Sequence, residues 1–171
     1  RTLADLRGSP ATCEEEAILI KQASSLPRST GGGVRLSVAD DIARLELNDP
    51  SHFNALTIEM ASDMQMAVKW LETQRVGSIN GVLLQGAGEH FCPGGNLYRK
   101  APAATSVEAS ARAAGELFDG FCRLRTLSAP VTCAAHGAVL GGGLAACLLA
   151  DFVLSDRAAT FQVSSDLNAC A

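Results

Sequence analysis

Val131-Thr132-Cys133-Ala134-Ala135 runs into His136-Gly137-Ala138-Val139-Leu140-Gly141-Gly142-Gly143, and the apolar stretch Leu144 to Ala150 follows. The first run reads as a short buried strand and the last as a helix, so the order is strand, glycine cluster, helix. Glycine at a strand end accepts positive φ and leaves backbone N–H groups open to a ligand, with no Cβ in the way. Where the cluster also opens a helix, the first N–H groups have no partner inside the helix, and the positive end of the helix dipole lies beside them. Two such donors aimed at one oxygen would make an oxyanion hole. The same glycines could equally serve only tight turns and close helix packing.

The join has a counterpart upstream. Gly81-Val82-Leu83-Leu84-Gln85 reads as a buried strand that delivers the chain into Gly86-Ala87-Gly88-Glu89-His90-Phe91-Cys92-Pro93-Gly94-Gly95-Asn96. Before it, Val34 to Val38 and Ile42 to Leu47 alternate at period two around Asp40-Asp41, a hairpin signal. Thr57 is placed to cap a helix to Gln74 whose apolar face carries Ala61, Met64, Ala67, Val68 and Leu71. Thr105-x-x-Glu108 is a capping-box pattern ahead of a helix to about Leu127, with Ala114, Leu117, Phe118, Phe121 and Leu124 on its apolar face and Pro130 as its stop. Asp151 to Leu154 and Thr160 to Val163 read as two further strands. The predicted order is ββα, βα, βα, ββ, an α/β layered core.

The composition narrows the function classes. The 171 residues are 47% hydrophobic and 19% charged, with six Phe, one Trp, one Tyr and a net charge of −4. That balance excludes collagen-like and highly charged disordered chains and gives no electrostatic reason to coat nucleic acid. The longest apolar stretch, Ala138 to Ala150, is broken by three glycines and falls short of the roughly 20 residues of a membrane span. The six cysteines, Cys13, Cys92, Cys122, Cys133, Cys147 and Cys170, form no C-x-x-C pair, which speaks against zinc and favours free thiols, with Cys122, Cys133 and Cys147 as core fillers. The histidines His52 and His90 are expected at the surface, His136 in a structural hydrogen bond and Asp151 at a cap or turn. Met60, Met64 and Met66 are expected to pack the helix or lie on its surface.

Residues 1–33, with Pro27 to Gly33 as a connector, are expected to be a leader or linker, partly disordered, and residues 34–171 the folded domain, incomplete at its C-terminus. The chain begins at Arg1 and carries no continuous apolar leader, so a cytoplasmic location is favoured while organelle targeting stays open. Dinucleotide, P-loop and G-x-S-x-G signatures are all absent from the glycine clusters.

Three motifs in order carry a resemblance. Asn48-Asp49-Pro50-x-x-x-Asn54-Ala55-Leu56, then Gly86-x-Gly88-x-x-Phe91-Cys92-Pro93-Gly94-Gly95-Asn96-Leu97, then Ala129-Pro130-Val131 through Gly141-Gly142-Gly143-Leu144 to Ala150-Asp151-Phe152 resemble the crotonase (enoyl-CoA hydratase/isomerase) superfamily. The resemblance runs from about Val34 to Val163. It implies a spiral of ββα units, C-terminally truncated here, commonly trimeric, acting on acyl thioesters of coenzyme A or of an acyl-carrier protein. It implies backbone N–H donors at Gly95 and Gly142, and a substrate path along Phe53, Ala55, Pro93, Gly94, Asn96, Leu97, Gly141 and Ser165. No metal and no resident cofactor are implied, since coenzyme A or phosphopantetheine arrives as the substrate's carrier; no nucleic acid or membrane partner is expected.

The departures matter as much. Hydration needs a positioned acid and base, which the family's hydratases supply as two glutamates; those positions hold Ala145 and Ser165 here, and a one-residue slip would reach only Asp166. Asn96 replaces a common Asp. The pattern therefore points to a lyase (decarboxylase) or isomerase rather than a hydratase, and resembles crotonase-like domains of polyketide β-branching pathways. Lys100 could hold a substrate carboxylate or be a solvated lysine. The alternatives are a catalytically inactive acyl-thioester-binding or assembly subunit and, against the acidic balance, an RNA binder.

Overall fold

The computed structural model describes residues 33–95 and 106–163. Residues 1–32 of the leader, Asn96, Leu97, Lys100, Thr105, Ser165 and Asp166, together with Cys13 and Cys170, lie outside the described residues.

The alternating runs at the N-terminus form an antiparallel hairpin of β1 (Val34–Ala39) and β2 (Ile42–Leu47), in register from Val34 opposite Leu47 to Ala39 opposite Ile42. Its two-residue turn places Asp40 at φ 50° and Asp41 at φ 60°, the left-handed pair that matches strand twist and that Asp tolerates. From β2 onward the pairing is parallel: β3 (Gly81–Gly86), β4 (Val131–Ala135) and β6 (Phe152–Ser155) complete a sheet of order β1-β2-β3-β4-β6. Parallel neighbours need crossovers. α1 (Ile58–Glu72) links β2 to β3, and α2 (Val107–Arg123) lies between β3 and β4. The last crossover, from β4 to β6, holds β5 (Ala138–Leu140) and α3 (Gly142–Cys147), and β5 pairs in parallel with β7 (Thr160–Gln162) in a second, small sheet.

The core sits between sheet and helices. Alternate strand residues Val34, Leu36, Ala43, Leu45, Leu47, Val82, Leu84, Val131 and Cys133 are buried against Met60, Met64, Val68 and Leu71 of α1 and Phe121 at the end of α2. Thr57 caps α1 as expected, its Oγ1 accepting the Met60 N–H at 3.1 Å. All five residues of the predicted α1 face are buried. The same helix buries Asp63, whose carboxylate accepts the N–H groups of Gly33 and Val34 at 3.1 and 3.3 Å and so anchors the start of β1.

Several expectations are corrected. The unit order is ββα, βα, ββα, ββ, because β5 is a strand only by virtue of its partners Cys92 and β7. α2 stops at Arg123, and Leu124–Thr126 tightens into a 3-10 turn. α3 spans Gly142–Cys147 rather than Leu144 to Ala150. A Cβ at Gly143 would fall inside the Cys92 carbonyl oxygen, so packing puts glycines into the first turn where propensity alone would exclude them. Cys122 and Ala114 are exposed, since Phe121 of α2 and Leu124 of the 3-10 turn point inward instead; Cys133 and Cys147 are buried as expected.

Candidate functional site

The two glycine clusters meet. Beyond β3 the chain turns through Gly86 to Glu89 and is then stitched to β5: Phe91 N–H donates to His136 O at 2.9 Å, Cys92 N–H to Ala138 O at 3.1 Å, and Leu140 N–H to Cys92 O at 3.0 Å. From the other side Leu56 N–H donates to Gly94 O at 2.7 Å. Gly94 is thereby held at φ 95°, a left-handed value that favours glycine, and a Cβ there would stand 3.0 Å from the Gly142 nitrogen. A Cβ on Gly142 would in turn meet Leu56 Cδ1 at 3.0 Å, Phe118 Cζ at 3.2 Å and Gly94 Cα at 3.7 Å. The junction is walled by apolar side chains, which strengthens electrostatic interactions made inside it.

The N–H groups at the junction divide into bonded and open donors. In Cys92 to Gly95, Cys92 N–H is spent on Ala138, Pro93 has none, and Gly94 N–H points at Cys92 Sγ 3.4 Å away. Gly95 N–H has no partner among the described residues, and a Cβ at Gly95 would meet nothing within 4 Å. In the second cluster Gly141 N–H donates to Gln162 O at 2.9 Å, whereas Gly142 and Gly143, the first two residues of α3, have N–H groups without a partner among the described residues, and the Gly142 nitrogen is the nearer of the two to Gly94. Burial pushes the Cys92 thiol up to about 11, and the Gly94 and Leu56 backbone N–H groups only partly offset it, so Cys92 is a neutral packing group.

The remaining predicted residues fall around this junction. Phe53, at φ 58°, is 45% exposed, with its ring centroid 5.3 Å from that of His90. Ala55 is buried, and Pro93 and Gly141 are half-buried. Ala145 is exposed on α3, three residues beyond Gly142. His90 is half-buried rather than superficial: its Nδ1 accepts the Ala138 N–H at 3.3 Å, which fixes the proton on Nε2. His136 Nε2 donates to Gly88 O at 3.1 Å, Asp151 Oδ2 accepts the Val131 N–H at 2.8 Å, and His52 pairs with Asp49 at 3.0 Å on the surface. Among the described residues no three His, Cys, Asp or Glu side chains group so as to hold a metal ion. No helix among them is long and apolar enough to cross a membrane.

Sequence reading passed over Asn54. Its carboxamide is fully buried and bonded on all sides, and the only signal was its place in the N-D-P-x-x-x-N spacing.

The sequence model of the enoyl-CoA hydratase/isomerase family matches residues 37–167, a span that includes both glycine clusters. The chain belongs to the enoyl-CoA hydratase/isomerase family, the crotonases. Among its relatives, the probable enoyl-CoA hydratase EchA14 of Mycobacterium tuberculosis (strain ATCC 25618 / H37Rv) is 33% identical over 129 residues, covering 75% of this chain and 49% of the relative. The ethylmalonyl-CoA decarboxylase of Xenopus laevis is 31% identical over 130 residues, covering 75% and 42% respectively. The crystal structure of an enoyl-CoA hydratase from Polaromonas sp. JS666 matches the crotonase-family chain with a TM-score of 0.67 at 30% identity, over 75% of this chain and 49% of that one. The α/β architecture is thus that of the crotonase fold, and the chain spans about half the length of the curated relatives it matches.

Proposed function

We propose that this crotonase-family chain acts on acyl thioesters, with the Gly95 and Gly142 N–H groups polarising the thioester carbonyl, and that it serves a lyase or isomerase rather than a hydratase. The observation that carries the reading is the contact of the two glycine clusters, with the Gly95 N–H on one side and the Gly142 N–H on the other both without a partner among the described residues. In a decarboxylation of an α-carboxyacyl, malonyl-type thioester, the bond from the α-carbon to the carboxylate breaks, carbon dioxide leaves, and the electron pair enters the enolate whose oxygen the two donors hold. A proton donor then protonates the α-carbon. No base is required for the bond cleavage, which suits a site with Ala145 in place of a carboxylate. Each donor is worth on the order of 100- to 1,000-fold in rate. The relatives named above include a probable hydratase and a decarboxylase, so the family permits either outcome.

The substrate's carrier arm, from coenzyme A or an acyl-carrier protein, would run past Phe53 and Ala55. The acyl chain would contact Pro93, Gly94 and Gly141. The intact protein is expected as a homotrimer. The test compares Gly142→Pro with Gly142→Ala. Proline fits the first helical position and removes the N–H, while alanine adds the same Cβ, which meets only the side-chain tips of Leu56 and Phe118 closely, and keeps the N–H. Carbon dioxide release from malonyl-CoA homologues, or double-bond migration in enoyl-CoAs, should exceed hydration of crotonyl-CoA and vanish in Gly142→Pro alone. Dominant hydration, or unchanged turnover in Gly142→Pro, overturns the reading. The exposed methyl of Ala145 also favours a second reading, a catalytically inactive acyl-thioester-binding or assembly subunit. A thermal shift with acyl-CoAs but no turnover would select it.

A further inference from the structure

Asn54 has no part in the chemistry proposed above, yet its side chain is 0% exposed and fully engaged. Its Oδ1 accepts the Asp49 N–H at 2.9 Å, and its Nδ2 donates to Ala87 O at 2.8 Å and to His90 O at 2.7 Å. One orientation of the carboxamide alone satisfies these partners, since two carbonyl oxygens need the nitrogen and one N–H needs the oxygen. Phe53 and Asn54 both stand in the left-handed region, at φ 58° and 61°; Asn visits it readily, whereas the bulky Phe53 is held there within a turn closed by Phe53 N–H to Pro50 O at 3.1 Å and Asn54 N–H to Asp49 O at 2.8 Å.

The bonds reach both supports of the Gly94–Gly95 peptide. Downstream of Asn54, Leu56 N–H donates to Gly94 O at 2.7 Å. Downstream of His90, Phe91 and Cys92 are stitched to His136 and β5. One carboxamide therefore ties the loop segment that carries Leu56 to the loop segment that carries Cys92, and Gly95 hangs between them.

We infer that Asn54 is a positioning residue, whose buried carboxamide sets where the Gly95 N–H stands relative to Gly142 by bridging the 49–54 turn to the carbonyls of Ala87 and His90; this rests on the reading of Gly95 and Gly142 as carbonyl donors. Asn54→Asp removes both side-chain donors and sets a carboxylate oxygen against two carbonyl oxygens. Asn54→Gly removes the carboxamide while keeping the left-handed backbone accessible.

The experiment reads carbonyl polarisation directly, as the infrared stretch of butyryl-CoA carrying carbon-13 at the thioester carbonyl, bound to the intact protein. The wild type should lower the stretch relative to free butyryl-CoA. Both variants should lose most of that shift and lose kcat on the order of 100-fold, with KM changing far less, because misplacing a donor costs the transition state more than the ground state. A folded variant that retains the full shift overturns the inference while leaving the donor reading intact. A wild type with no shift overturns the donor reading and the inference with it. Should neither variant fold, the wild-type nuclear magnetic resonance spectrum decides: the Asn54 carboxamide protons should exchange slowly and move on addition of butyryl-CoA, and unmoved or freely exchanging protons overturn the inference.

Discussion

A methyl group placed on Gly94 would stand 3.0 Å from the amide nitrogen of Gly142 and 2.9 Å from the carbonyl oxygen of Leu140. The contact makes the neighbouring glycines unequal. Gly94→Ala adds strain at φ 95° to this crowding and is expected to cost roughly 1–3 kcal/mol of stability, with loss of any activity that needs the Gly142 N–H. Gly95→Ala enters open space and should stay within about 1 kcal/mol of the wild type. Denaturant unfolding of the two variants side by side checks the contrast, and equal losses would refute it.

Cys92 should impose a loss of stability at high pH. Burial raises its thiol from 9.0 to about 11, so the folded chain keeps a proton that the unfolded chain releases. Its contribution is complete below about pH 9 and declines through about pH 11, by roughly 2–3 kcal/mol at the upper end. Denaturant midpoints at about pH 8 and about pH 11 should fall more steeply for the wild type than for Cys92→Ala. In the folded protein iodoacetamide should modify exposed Cys122 before Cys92.

Glu72 and Arg123 tie the end of α1 to the end of α2, with Arg123 Nε donating to Glu72 Oε1 at 3.2 Å and Thr126 Oγ1 reaching the same oxygen at 3.2 Å. The Arg123 hydrogen bond holds the Glu72 carboxyl below its usual value of 4.5. Since the folded-state value is lowered, the coupling is present above the ordinary Glu range and lost as pH falls below it. A double-mutant cycle with Glu72→Gln and Arg123→Gln should show coupling at neutral pH that disappears in acid and shrinks with added salt.

Asp63→Ala strips the acceptor from the Gly33 and Val34 N–H groups and should destabilise by about 1–3 kcal/mol. Asp63→Asn retains one acceptor oxygen and should lose less. Urea unfolding of the pair measures it, and equal stability of all three proteins would show that the anchor carries no energy.

Wherever the controlling interaction is local, the residues alone determined the outcome. The Asp40-Asp41 turn, the Thr57 cap and the buried face of α1 follow from turn chemistry and from spacing within a helix turn or two, and all three stand in the structure. The glycine clusters were legible for the same reason, being residue types at fixed positions. What only the tertiary structure decided depends on partners distant along the chain. β5 exists because Cys92 and β7 pair with it, α3 starts among glycines because Cys92 O leaves no room for a Cβ at Gly143, and Asn54 gains its role from Ala87 and His90. The meeting of Gly94 with Gly142 is of that kind too: each cluster is written in the sequence, but only the parallel crossovers bring their backbones to within a methyl group of one another.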